Sequence, residues 1–67
     1  MVDCEKLLEY VVNSKLHVKD IANQLKLSEV NFIKRVGNIQ DFTVIEVNRL
    51  CDILNIKGED AIRMFFA

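Results

Sequence analysis

The sequence predicts an all-α fold, a compact bundle of five short helices. Apolar residues recur at the spacing of one helix face along most of the chain, and no segment makes a credible strand. The 67 residues include no proline and two glycines, so only turn residues interrupt the helices. A chain of this length holds one domain, residues 1–67, whose core rarely supplies more than about 3–5 kcal/mol. We therefore expect a partner surface to matter to its stability.

The first helix is predicted from its cap and its apolar spacing. Asp3 is a suitable N-cap, and the helix ends near Asn13 and Ser14. Its apolar residues fall on one face, which we expect to be buried: Leu7, Leu8, Val11 and Val12. A second helix extends from about Val18 to Leu25. It is expected to bury Ile21, Ala22 and Leu25, and the small Ala22 lets another helix cross closely.

The third helix is bounded by a cap and a stop signal. Ser28 is a good N-cap, and the helix continues through Val36, with Phe32 as the core contact one turn before Val36. Gly37 and Asn38 both tolerate the left-handed conformation found at helix ends. We therefore expect the third helix to end there.

The fourth and fifth helices follow from a capping box and an acidic start. Thr43 and Glu46 have the spacing in which each side chain satisfies a free backbone donor. The fourth helix is expected to bury Val47, Leu50, Cys51 and Leu54. Residues 55–58 form a break, after which Glu59 and Asp60 suit a helix N-terminus. The last helix ends in Met64, Phe65 and Phe66.

Composition excludes several classes of protein. With 51% apolar and 28% charged residues, the chain belongs to a globular class, and no window approaches the roughly 18 apolar residues of a membrane span. The acidic N-terminal sequence lacks the pattern of a secretion signal, so we expect a cytoplasmic protein and no membrane partner.

Residues for catalysis or metal binding are scarce. Cys4, Cys51 and the single histidine, His17, are too few for a structural zinc site, and no other feature supports a nucleophilic Cys–His pair. There is no glycine-rich phosphate loop and no signature of paired catalytic carboxylates. We therefore expect no enzyme activity, no metal and no cofactor. A cysteine-based enzyme is the remote alternative, and it would require a thiol of unusually low pKa.

The order of these features resembles the lambda-repressor-like, or Xre/Cro, helix-turn-helix family, which includes many small phage regulators. The resemblance covers about residues 5–62, with the helix-turn-helix proper at about 18–36. It rests on Leu16, Ile21, Ala22, Leu25, Leu27, Ser28, Phe32, Val36, the Gly37-Asn38 stop, and the segments "DFT" and "LCDILNI". The resemblance implies a DNA-binding transcriptional regulator that binds double-stranded DNA as a dimer and places its third helix in the major groove.

The family pattern also assigns site residues. Residues at base-contact or nearby phosphate positions are Ser28, Glu29, Val30, Ile33 and Lys34, while Lys19, Arg35, Asn38 and Gln40 are expected to contact or attract the DNA backbone. Three positions depart from the family: His17 and Val18 replace a small cap followed by Gln, and Lys26 stands where Gly is common. Lys26 is therefore expected to be strained in a left-handed conformation, or the turn differs slightly.

The charged residues and the apolar residues of the predicted helix-turn-helix favour different ligands. Residues 15–38 carry a net +3, from Lys15, Lys19, Lys26, Lys34 and Arg35 against Asp20 and Glu29, although the chain as a whole carries −1. These lysines are either a field for DNA or an ordinary solvated face. Glu29 is repelled by phosphate unless it meets a cytosine amino group, and Val30 or Ile33 can touch a thymine methyl.

The alternative function is a protein-interaction module, a phage-type inhibitor, anti-repressor or co-regulator that has lost specific DNA reading. Its interface would be an apolar patch of Val18, Val30, Ile33 and Ile45. A modest rotation of the third helix would instead bury Ile33 as ordinary core. Phe65 and Phe66 either close the core or form a homodimer seam.

Overall fold

Five helices and the turns between them make up residues 1–66, which the computed structural model describes. The helices are α1 (Cys4–Ser14), α2 (Val18–Gln24), α3 (Glu29–Val36), α4 (Val44–Leu54) and α5 (Gly58–Phe65). No strand occurs in this part of the chain. The all-α, five-helix prediction is therefore confirmed. Three bounds differ by one residue: α2 ends at Gln24, before Leu25, and α5 begins at Gly58, inside the predicted break, and ends at Phe65.

The predicted N-caps are present. The Asp3 carboxylate accepts a hydrogen bond from the Lys6 amide at the start of α1, and the Ser28 hydroxyl accepts one from the Asn31 amide at 3.1 Å. At the start of α4, Thr43 and Glu46 form the complete capping box, with bonds of 2.9 and 3.1 Å. Each cap satisfies backbone donors that a helix leaves free, which fixes where these helices begin.

Four helix ends use residues in the left-handed conformation, and none of these residues is glycine. They are Lys15, Lys26, Asn38 and Asn55. At Lys26, with φ 59°, the Leu27 amide donates to the Ala22 carbonyl at 2.9 Å and the Lys26 amide to the Asn23 carbonyl at 3.0 Å. This is the Schellman arrangement, which turns the chain sharply out of α2.

The end of α3 differs from the prediction in one residue. Asn38 is left-handed with φ 65°, whereas Gly37 has φ −82° and needs no glycine conformation. The amides of Asn38 and Ile39 donate to the carbonyls of Arg35 and Lys34, again in the Schellman pattern. Asn38 alone therefore supplies the turn that Gly37 and Asn38 were both expected to supply.

The core lies where all five helices meet. Its most buried large side chains are Phe32, Leu7, Ile21, Leu50 and Met64. α1 packs against α4 and α5, and α2 packs against α3 and α4. No buried side-chain polar atom among residues 1–66 is without a hydrogen-bond partner. Each of the five helices thus contributes one apolar face to the core.

Two predicted core residues of α1 lie on the surface. Leu7 and Val11 are buried, but Leu8 is 46% and Val12 is 72% exposed. The neighbouring helices cover only the stripe through Leu7 and Val11, and residues one position later turn about 100° away from it. Cys51, also predicted to be buried, is half-buried.

Side chains and backbone also join elements far apart in sequence. The Asp3 amide donates to the Met64 carbonyl at 2.8 Å, and the Tyr10 hydroxyl donates to the Asp60 carboxylate, so α1 is held to α5. The Phe42 ring meets Phe32 and Phe65 edge-on, with centroids 6.2 and 5.9 Å apart. The segment between α3 and α4 is thereby anchored on the core.

Candidate interaction surface around the third helix

α2, the turn at residues 25–28 and α3 form one packed unit. The back of α3 is held by Phe32 and Val36, which are buried in the core. Its front is exposed: Val30 is 61% and Ile33 is 57% accessible, and Glu29 lies at the surface beside them. The alternative in which Ile33 rotates into the core is therefore wrong. The third helix presents an outward face of mixed apolar and charged character.

The polar residues expected on this face are accessible to different degrees. Ser28 and Lys19 are exposed and Lys34 is half-buried. The Ser28 hydroxyl oxygen is used as a cap, but its hydrogen remains free to donate to a ligand. Arg35 and Glu46 form the one ion pair within residues 1–66. The ammonium groups of Lys19 and Lys34 therefore have no carboxylate partner there and are available to a ligand.

Arg35 is engaged inside the protein. Its Nε donates to Glu46 Oε1 at 3.0 Å, and its Nη1 donates to the Asn31 carbonyl at 3.3 Å and to Gln40 Oε1 at 3.0 Å. The same Glu46 oxygen accepts from the Thr43 amide. The sequence predicted that Arg35 and Gln40 contact DNA; the structure shows them bonded to each other and to α4. Arg35 thus fixes α3 against the start of α4.

Asn38 has a similar internal role. Its side-chain oxygen accepts from the Val2 amide at 2.7 Å, and its side-chain nitrogen donates to the Val2 carbonyl at 3.0 Å. Both ends of the amide are therefore occupied, although the residue had been expected to bond the DNA backbone. The pairing joins the N-terminal segment to the end of α3.

An apolar groove of about 240 Å³ lies between α1, α2 and α3. It is lined by Cys4, Leu8, Val11, Val18, Phe32, Ile33, Val36 and Gly37. Of the predicted apolar patch, Val18 and Ile33 meet in this groove. Val30 and Ile45 are exposed but do not line it. Two residues of the predicted four-residue patch therefore lie in the groove, and the other two lie outside it.

The α1 wall of this groove is the part that sequence reasoning missed. Leu8 lines the groove and also belongs to an open face of α1 with Val12, Glu5, Glu9 and Asn13. The sequence does contain a signal for this wall, which is the width of the apolar face of α1. Its four apolar residues form two adjacent pairs, and such a face is wider than the stripe that one neighbouring helix covers.

The two C-terminal phenylalanines have different environments. Phe65 is buried in the core, whereas Phe66 is 64% exposed. Both line a second hollow of about 320 Å³ with Met1, Val2, Asn38, Asp41, Phe42, Val44 and Val47. Phe65 therefore closes the core with only 8% of its surface exposed, and Phe66 is the residue available for the predicted dimer seam.

The Cys51 thiol shows no sign of activation. Cys4 and Cys51 are both free and half-buried. Burial, followed by the charge of Asp52, raises the pKa of the Cys51 thiol above its ordinary value of 9.0, whereas a nucleophilic cysteine needs a lowered pKa. In the described part of the chain no group of three or more His, Cys, Asp or Glu side chains is placed to hold a metal ion.

Comparisons with protein-family models, curated proteins and solved structures found no match for this chain. Within residues 1–66, no helix has the length and apolar character needed to cross a membrane.

Proposed function

We propose that the chain is a small, non-enzymatic DNA-binding transcriptional regulator with a lambda-repressor-like helix-turn-helix at residues 18–36. The observation that carries the proposal is the placement of α3. Phe32 and Val36 hold its back in the core, while its front, including Glu29, Val30 and Ile33, faces outward. A recognition helix needs this division, because only a firmly packed helix can present side chains to a groove in a fixed register.

Each exposed residue of α3 has a chemical role in this proposal. The Ser28 hydroxyl donates to a phosphate or base, and the Lys34 ammonium contacts phosphate. Glu29 accepts from a cytosine amino group, and Val30 and Ile33 pack on thymine methyl groups. Arg35 acts indirectly, since its bonds to Glu46 and Gln40 set the orientation of α3.

The charge distribution supports the same function. Residues 15–38 carry +3 in a chain of net charge −1, and the ammonium groups of Lys19 and Lys34 form no ion pair within residues 1–66. Cations near a phosphate backbone release condensed counterions on binding, which makes the affinity fall steeply with salt. Binding as a dimer would place one α3 in each of two half-sites about 34 Å apart.

The test is selection of double-stranded DNA from a random pool at low salt, followed by titration of the selected site at several salt concentrations. Lys34→Ala is expected to weaken binding and to reduce the slope of log affinity against log salt by about 1. Lys57→Ala is the control, because Lys57 is exposed but precedes α5, outside the basic segment. If the pool yields no enriched sequence, the proposal is wrong.

A second function is favoured by the apolar groove: a protein-interaction module, such as a phage-type inhibitor, anti-repressor or co-regulator. Exposed Val30 and Ile33 beside the carboxylate of Glu29 suit a protein surface better than a polyanion. One variant separates the two functions. Ile33→Lys adds a cation but removes the contact with a thymine methyl group, so it should retain non-specific DNA binding at low salt, whereas it should abolish salt-tolerant capture of a protein partner.

A further inference from the structure

Two features of the surface have no role in DNA binding, the apolar groove and the exposed apolar residues of α1, and the Glu29 carboxylate is close to the groove. They lie together. Ile33 forms the α3 wall of the groove and Leu8 forms the α1 wall, while Glu29 lies one helical turn before Ile33. The combination indicates a site for a ligand that is apolar on one side and cationic on its flanks.

The groove has the dimensions and chemistry for protein side chains. Phe32, Val11 and Val36 lie buried at its base, while Leu8 and Ile33 are exposed at its edges. Its volume of about 240 Å³ is below the range of roughly 300–1,000 Å³ that is usual for small-molecule sites. An apolar trough between packed helices is the form of site that receives the apolar stripe of a partner helix.

The charges around the groove are mainly negative. Glu5 and Glu9 lie on the open face of α1 beside Leu8, and Glu29 lies on α3. None of these three carboxylates forms an ion pair within residues 1–66. Lys19, next to Val18 on α2, and Lys34, next to Ile33 on α3, are the opposing charges, so three carboxylates stand against two ammonium groups. The rim therefore attracts cations.

We propose that this groove binds a cationic amphipathic helix of a partner protein. Large aliphatic side chains of that helix would enter between Leu8 and Ile33, and its lysines or arginines would lie against Glu5, Glu9 and Glu29. The 11 residues of α1 offer a track of about 16 Å, enough for three turns of the partner. This inference rests on the second function above and specifies its partner.

The charges also argue against other occupants. The three carboxylates repel a phosphate backbone, and DNA offers no apolar stripe to fill the groove. A second copy of the chain is not complementary either. No exposed helix face within residues 1–66 has an apolar stripe with cations on both sides, and α5 begins with the acids Glu59 and Asp60.

The test uses the full chain and a synthetic, amidated helical peptide of about four turns, with leucine along one face and lysine on the flanks. Amide chemical shifts locate the peptide, and anisotropy of a labelled peptide gives its affinity. A peptide with glutamine in place of lysine is the matched control. The lysine peptide is expected to shift the amides of Leu8, Val18 and Ile33 and to bind at least about tenfold more tightly than the glutamine peptide.

Two pairs of variants then assign the binding to this groove. Ile33→Ala is expected to weaken the lysine peptide about tenfold, while Ile45→Ala, a comparably exposed isoleucine outside the groove, changes affinity less than about twofold. Glu9→Gln is expected to weaken it about threefold, and Glu59→Gln, an exposed glutamate on α5, leaves it unchanged. All four positions are on the surface, so folding is retained.

The outcomes separate this inference from both proposed functions. If the glutamine peptide binds in the groove as tightly as the lysine peptide, the surface binds protein but the inference about charge is wrong. If neither peptide shifts the groove amides, or if Ile45→Ala weakens binding as much as Ile33→Ala, the site itself is wrong. None of these results depends on whether DNA is selected from a random pool.

Discussion

Lys26 holds a conformation that side chains with a Cβ disfavour, at a cost of about 1 kcal/mol. The residue is exposed, and its left-handed turn is required by the bonds from Leu27 to Ala22 and from Lys26 to Asn23. We predict that Lys26→Gly raises the free energy of unfolding by about 0.5–1 kcal/mol, because glycine adopts this conformation without strain. Urea denaturation monitored by circular dichroism measures the change.

The control for this substitution is Lys19→Gly. Lys19 is also an exposed lysine, but it lies in the first turn of α2 in the ordinary helical conformation, where glycine lowers helix stability by up to about 1 kcal/mol. The two variants therefore lose the same charge and should shift stability in opposite directions. A decrease in both would show that the turn at Lys26 is not strained.

The hydrogen bond from Tyr10 to Asp60 makes stability depend on alkaline pH. This bond is the main reason that the pKa of Tyr10 lies above its ordinary value of 10.0, with desolvation and the charges of Asp60 and Cys51 adding to it. Because the pKa is raised in the folded state, the stabilisation is fully present below about pH 10 and is lost as pH rises through the folded pKa.

We predict that the unfolding free energy of the native chain falls more steeply above pH 10 than that of Tyr10→Phe, which lacks the titrating hydroxyl. Spectrophotometric titration of the single tyrosine gives its pKa directly, and denaturation at several pH values gives the stability. Equal pH dependence in the two proteins would contradict the prediction.

At the scale of elements, Glu46 joins three parts of the structure. One oxygen of its carboxylate caps the start of α4 through the Thr43 amide and pairs with Arg35 of α3. We predict that Glu46→Ala lowers the unfolding free energy by about 2 kcal/mol, because the cap and the partly buried guanidinium both lose their partner. Chemical denaturation measures the loss.

Glu59→Ala is the matched control. Glu59 is exposed and forms no hydrogen bond or ion pair with another side chain in residues 1–66, so its replacement should change stability by no more than about 0.5 kcal/mol. Comparable losses from the two substitutions would mean that the bond between α3 and α4 contributes nothing specific.

Helix caps and helix packing differ in how far the sequence predicts them. The start of α4 was predictable from Thr43 and Glu46, because a capping box involves residues three positions apart. The direction of Leu8 was not, since it depends on where α4 and α5 lie against α1. Likewise, nothing in the local sequence shows that Arg35 pairs with Glu46, so a residue predicted to contact phosphate has an internal partner.

At the scale of the whole molecule, stability depends on a few fully buried side chains. Met64 of α5 is completely buried, and Ile62, two residues earlier, is 60% exposed. We predict that Met64→Ala costs about 2–4 kcal/mol, whereas Ile62→Ala costs less than about 1 kcal/mol. A domain of this size has roughly 3–5 kcal/mol in total, so Met64→Ala should retain only about 1 kcal/mol and be partly unfolded at 37 °C.

Thermal unfolding followed by circular dichroism compares the two variants with the native chain. Similar melting temperatures for Met64→Ala and the native chain would show that α5 is not required for the core. The sequence did predict that α5 ends in apolar residues, but it could not assign Met64 and Phe65 to the core and Phe66 to the surface.

The pairing of Val2 with Asn38 has a kinetic consequence. It joins residues 36 positions apart, and the neighbouring bond from Asp3 to Met64 connects still more distant parts of the chain. The local contacts of α2 and α3 close short loops and can form early, whereas contacts between distant segments wait for the rest of the chain to be ordered. These bonds therefore act chiefly on how slowly the native state opens, and little on how fast it forms.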